Sequence, residues 1–236
     1  MRDREIDEIL KQAAQASPDV DPGLLDRIAG SIGRSPGPVR PLPPAWVLEG
    51  GLVLICAAVA LAGAARLGLY GIRGLSDLER ALIFSALGAF IWLTATACVS
   101  EMSPGSPRRV VPGLLLGAGS LALLAVFAVV FHDYGTDRFV AQGIACLTAG
   151  LLHAIPMALA SWLLLRRGFA VNAVAAGLAA GTLAGLAGVT MLELHCANFE
   201  APHVMLWHTA VLPLSAAAGA LLGWYARSRR ARAPRS

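Results

Sequence analysis

Five runs of twenty or more residues contain no Asp, Glu, Lys or Arg: Ala81–Ser100, Val110–Phe131, Phe139–Leu165, Phe169–Leu192 and Val204–Ala226. The hydrocarbon layer of a bilayer is ~30 Å thick and a helix rises ~1.5 Å per residue, so about 20 apolar residues cross it. A sixth stretch, Trp46 to about Leu69, carries Glu49 at its start and Arg66 at its end. Both lie near the edges, where long polar side chains reach the interface. The expected fold is therefore all-α: a polytopic bundle of six transmembrane helices. Charged residues make up 14% of the chain and hydrophobic ones 56%, against about 25% charged in soluble domains. That balance excludes a small secreted domain or a nucleic-acid-binding one.

Loop charge sets the orientation, because cytoplasmic loops retain excess Lys and Arg. With the N-terminus inside, fifteen of the nineteen basic residues fall on the cytoplasmic side. Six precede the first span, Arg108, Arg109, Arg166 and Arg167 occupy inner loops, and five arginines end the chain. Only Arg66, Arg73, Arg80 and Arg138 fall outside. Both termini are expected in the cytoplasm, with residues 45–226 in the membrane and a basic tail at 227–236.

Residues 1–44 differ in kind, with seven acidic and six basic side chains and no long apolar run. A cleavable leader needs a basic start and an apolar core, and neither is expected here. Two short amphipathic helices are. Ile6, Ile9, Leu10 and Ala13 recur at helical spacing. In the second, Asp21 suits the N-cap, Pro22 the first position and Gly33 the end, with Leu24, Leu25, Ile28 and Ile32 as the apolar stripe. The Pro-rich stretch Ser35–Pro44 stays extended. Two such helices build no core alone, so the arm either binds a partner or stays loose.

Small residues recur every fourth position in the last two spans: Gly177, Gly181 and Gly185, then Ser215, Gly219 and Gly223. That spacing lets helices approach closely in lipid, and Gly113 and Gly117 read the same way. Pro156 and Pro213 are expected to kink their helices. The cysteines separate by depth: Cys56 mid-span, Cys98 at an inner end, Cys146 in the outer third of the fourth span and Cys196 at the outer end of the fifth. The last two face the side where disulfides persist. Cys146 nevertheless lies seven residues, ~10 Å, below the boundary, and a disulfide needs Cα atoms within ~7 Å. The fifth span would have to end deeper, or tilt, for the two to meet.

Around Cys196 cluster Glu193, His195, Asn198, Glu200, His203 and His208. Sulphur, imidazole and carboxylate together suit Zn²⁺ or a softer metal, and His195, Cys196 and His203 are the candidate ligands. The spacing matches no standard zinc pattern, and a short loop between helices is ordinarily polar. His153, deep in the fourth span, is either a proton site or a hydrogen-bonded packing residue. Enzyme signatures such as Gly-x-Ser-x-Gly, His-Glu-x-x-His or a Walker loop are missing, so neither catalysis nor a cofactor is expected. A small transporter or channel is the rival reading, and it would need His153, Glu193 or Glu49 along a pathway.

The C-terminal half carries a distinctive pattern. Cys146-Leu-Thr-Ala-Gly is followed by Ile-Pro156 and Leu-Leu-Arg-Arg-Gly168. Then come a Gly/Ala-rich helix, Leu194-His-Cys196, Pro202, Trp207 and Gly219-Ala-Leu-Leu-Gly223. This resembles the NrsF family of six-span bacterial anti-sigma factors. The resemblance implies an inner-membrane protein that sequesters an extracytoplasmic-function sigma factor without touching nucleic acid. It also implies that Cys146 and Cys196 sense oxidising or metal stress. Ile6, Leu10, Leu24 and Ile28 are the expected sigma-binding residues. Turning a switch from 1:99 to 99:1 takes ~5.5 kcal/mol, and one disulfide supplies ~2–4 kcal/mol, much of what is needed.

Overall fold

The computed structural model describes residues 8, 11, 22–33, 42–102, 110–168, 170 and 172–232, and the chain divides into two units, Met1–Pro41 and Leu42–Ser236. In the first unit, helix α1 (Pro22–Gly33) runs from the expected proline to the expected glycine. Leu24 and Ile28 fall on it. Ile6 and Leu10, the first amphipathic stripe and Asp21 lie outside the described residues.

Most of the described residues of the second unit are helical. It comprises α2 (Ala45–Leu67), α3 (Tyr70–Gly74), α4 (Asp77–Ser100), α5 (Pro112–Val130), α6 (Phe139–Leu165), α7 (Ala173–His195), α8 (Ala201–His203) and α9 (Thr209–Arg232). A π-helical turn, Val204–His208, joins α8 to α9. Six helices are long and apolar enough to cross a membrane, the last of them Ala201–Arg229. No strand occurs among the described residues, where an isolated bridge pairs Asp133 with Glu200. The all-α polytopic bundle expected from the apolar runs is the observed fold.

Helix ends follow local capping rather than hydropathy. The fourth helix starts at Asp77, ahead of the apolar run, because Ser76 and Glu79 form a capping box. The Ser76 amide donates to Glu79 Oε2 at 2.6 Å, and the Glu79 amide donates to Ser76 Oγ at 3.4 Å. Two orphan amides are thereby satisfied at once. At α7 the apolar run begins at Phe169, yet the helix begins at Ala173, because Asn172 Oδ1 accepts from the amides of Val174 and Ala175. Gly68, at φ 108°, ends α2 in a conformation that a Cβ would strain.

Helix α7 is the axis of the bundle. Within its apolar window 72% is enclosed, against 22–44% for the other five spans. Its glycines explain how. A Cβ on Gly177 would strike the Gly219 carbonyl oxygen, one on Gly181 the Ser215 carbonyl, and one on Gly185 would lie 2.9 Å from the Leu212 Cα. The contact is reciprocal, since a Cβ on Gly219 would meet the Gly177 carbonyl. The four-residue stripes therefore bring the α7 and α9 backbones together, as expected of small residues in lipid. Gly113 and Gly117 do not act this way, because a Cβ at either meets nothing within 4 Å. The buried stripe of α5 runs instead through Leu115, Gly119, Leu123 and Phe127, and Gly119 is the glycine that receives a neighbour, Phe90 of α4.

Candidate functional site

Where α7 ends, the chain turns back over the bundle through Cys196–Glu200 and re-enters at Ala201. Three bonds hold that return. The Ala201 amide donates to the Asp133 carbonyl at 2.6 Å. The Asn198 side-chain amide donates to Gln142 Oε1 at 2.8 Å, and its own Oδ1 accepts from the Glu200 amide at 2.8 Å. Phe199 stacks on Phe131, ring centroids 6.0 Å apart. The turn is thus pinned both to the loop after α5 and to the first turns of α6.

This arrangement removes the difference in depth between the two cysteines. Cys196 closes α7, its amide donating to the Leu192 carbonyl at 2.7 Å. Its Sγ lies 3.6 Å from Sγ of Cys146, two turns into α6. The α7 helix ends deeper than the start of α6, which is the condition that the spacing required. All four cysteines are free thiols, with Cys56 and Cys98 fully buried. Cys146 and Cys196 keep partial exposure. The contact with Cys146 and burial push the Cys196 thiol above the ordinary range, and His203 and His208 oppose them.

Two histidines complete the cluster. His203 Nε2 lies 3.6 Å from the Cys196 sulphur. His208 is buried, and its Nδ1 donates to Glu193 Oε1 at 2.6 Å, with the two side chains 1% and 3% exposed. The two imidazoles meet edge to face, centroids 5.3 Å apart. Residues five apart on an α-helix point ~140° apart. The π-helical turn at Val204–His208, with its wider i→i+5 winding, brings His203 and His208 round to the same side. One donor atom from each of Cys146, Cys196, His203 and His208 lies within 4.8 Å of every other.

Other residues marked by their chemistry stand apart. His195, although adjacent to Cys196, turns to α2, with its Nδ1 2.9 Å from the Gly68 carbonyl, and packs against Tyr70. His153 bonds the Ala149 carbonyl of its own helix at 2.8 Å and sits against Gly63. Glu193 is taken up by His208. His208 escapes the sequence pattern because five-residue spacing is not a helical face. It stands in the polar cluster read around Cys196 but not among the three candidate ligands there.

No curated protein matches the chain, and no solved structure does. A family model described as NrsF, Negative regulator of sigma F, matches residues 34–226, a stretch that contains all four cluster residues. With most of its length covered by that match, the chain belongs to the NrsF family, the negative regulators of a sigma factor.

Proposed function

We propose that the protein is an inner-membrane anti-sigma factor. It holds an extracytoplasmic-function sigma factor on its N-terminal arm and releases it when the Cys146–Cys196 pair reacts. The observation that carries this reading is the 3.6 Å approach of two sulphurs from different helices. Family membership supplies the class of partner. The basic residues, fifteen against four, favour cytoplasmic termini. The arm is then where a transcription component can reach it, and the thiols lie toward the oxidising side.

The chemical step is disulfide formation driven by a peroxide. One thiolate attacks a peroxide oxygen, giving a sulfenic acid and one water after protonation. The second sulphur displaces hydroxide from it, forming the S–S bond and a second water. A bond of ~2.05 Å draws α6 and the end of α7 together. Because α2, the helix that follows the arm in the chain, meets α7 closely at Gly63, where a Cβ would lie 2.9 Å from the Met191 side chain, a shift at the end of α7 is passed to the helix next to the arm.

A sigma-dependent reporter in cells tests the reading. Peroxide is expected to induce it with the wild-type chain, and C146S/C196S is expected to leave it flat. Superimposable induction curves would remove the thiol mechanism.

A further inference from the structure

We infer that Cys146, Cys196, His203 and His208 form a binding site for one thiophilic divalent cation of the Zn²⁺ class. The site shares both sulphurs with the proposed sensor, so its physiological role rests on that reading, while cation binding is measurable apart from it.

Geometry is the first support. In a tetrahedral site with Zn–S of ~2.3 Å and Zn–N of ~2.0–2.1 Å, neighbouring donors stand about 3.3–3.8 Å apart. The Sγ–Sγ distance of Cys146 and Cys196 is 3.6 Å, and Cys196 Sγ to His203 Nε2 is also 3.6 Å. The widest separation among the four donors is below 4.8 Å, so closure on a cation needs a contraction of about 1 Å there. Two sulphurs and two imidazoles are also the donor set that tetrahedral Zn²⁺ takes in structural sites.

Unspent hydrogen-bonding capacity is the second. His208 Nε2 is buried without a hydrogen-bond partner, and a buried polar atom left unpaired is costly. For His208 the reason is legible. Glu193 accepts from Nδ1 at 2.6 Å, which orients the ring and keeps Nε2 as the atom that can ligate, giving up any proton it carries when a cation binds. A carboxylate behind a histidine is the usual support of a metal-ligating imidazole.

Charge is the third. Binding replaces ligand protons with one divalent cation: M²⁺ joins two thiolates and two neutral imidazoles, and the protons they carried leave to solvent. The loaded four-ligand centre is neutral, so the cation leaves no net charge of its own among these buried groups. The two sulphurs cannot hold the cation and bond to each other. Peroxide therefore expels it, taking two electrons from the thiolates and, with two protons, leaving as two waters.

The full-length protein in detergent, reduced and stripped with a chelator, is titrated with Co²⁺ as a spectroscopic stand-in. One equivalent is expected to bind, with the intense visible absorption of tetrahedral Co²⁺ and a near-ultraviolet thiolate charge-transfer band. Zn²⁺ bleaches both. H208Q weakens binding at least tenfold, E193Q about 10–100-fold, C146S/C196S abolishes the charge-transfer band, and H195Q binds as wild type. Circular dichroism checks that each variant keeps its helices. Weak octahedral-type absorption alone, or equal binding by C146S/C196S, overturns the site. If cation binding fails while peroxide still releases the sigma factor, the cation site falls and the thiol reading stands. If the cation binds but release is the same in C146S/C196S, the sensor reading falls and the site stands.

Discussion

The sulphurs of Cys146 and Cys196, fifty residues apart in the chain, lie 3.6 Å from each other. Neither side chain is fully enclosed, whereas Cys56 and Cys98 are. Reactivity should therefore divide along the same line. Peroxide treatment of membranes, followed by alkylation and non-reducing mass analysis, is expected to yield one intramolecular disulfide. Either C146S or C196S should eliminate it, and C56S or C98S should not.

Close backbone packing of α7 on α9 leaves no room at Gly177 or Gly219. Overpacking of this kind costs about 1–3 kcal/mol, occasionally more. Leucine at either position is expected to lower the detergent-unfolding midpoint clearly. Leucine at Gly113 or Gly117, where a side chain meets open space, should leave it unchanged. Equal effects at all four positions would contradict the assignment of the α7–α9 contact as the tight one.

Glu193 and His208 are buried together, 1–3% exposed, in a 2.6 Å hydrogen bond. Removing one member of a buried pair is costly, about 3–5 kcal/mol where both are charged. E193A is expected to destabilise the bundle more than E193Q, which keeps an acceptor for the His208 Nδ1–H. Reversed order in the same unfolding assay would mean that the pair carries no structural weight.

The arm prediction rests on its apolar stripes. Replacing Ile6, Leu10, Leu24 and Ile28 with serine is expected to reduce co-purification of a sigma factor at least tenfold. The unfolding midpoint of the bundle should stay where it is. Unchanged co-purification would move the sigma-binding surface elsewhere.

Much of this fold is legible in one dimension because lipid imposes a coarse rule. A run of twenty apolar residues has few alternatives to a spanning helix, and all six spans are present. Their ends are less legible, since single polar side chains decide them. Ser76 with Glu79 starts α4 early, and Asn172 starts α7 late. The cysteine pair was visible as two residues on one side, but their depths met only because α7 stops short and the return loop is pinned to Asp133 and Gln142. The second histidine was hidden by the π-helical turn, as helical spacing places His208 away from His203. Gly113 and Gly117 carried the right motif on a face with no neighbour, which spacing alone does not reveal.

The most direct test of the account follows the sigma factor itself. Full-length protein with bound sigma factor is reconstituted in vesicles, and the bound fraction is measured before and after peroxide. The account predicts that wild type loses most of its sigma factor while C146S/C196S retains it. Equal loss from both, or retention by both while the disulfide demonstrably forms, would contradict it.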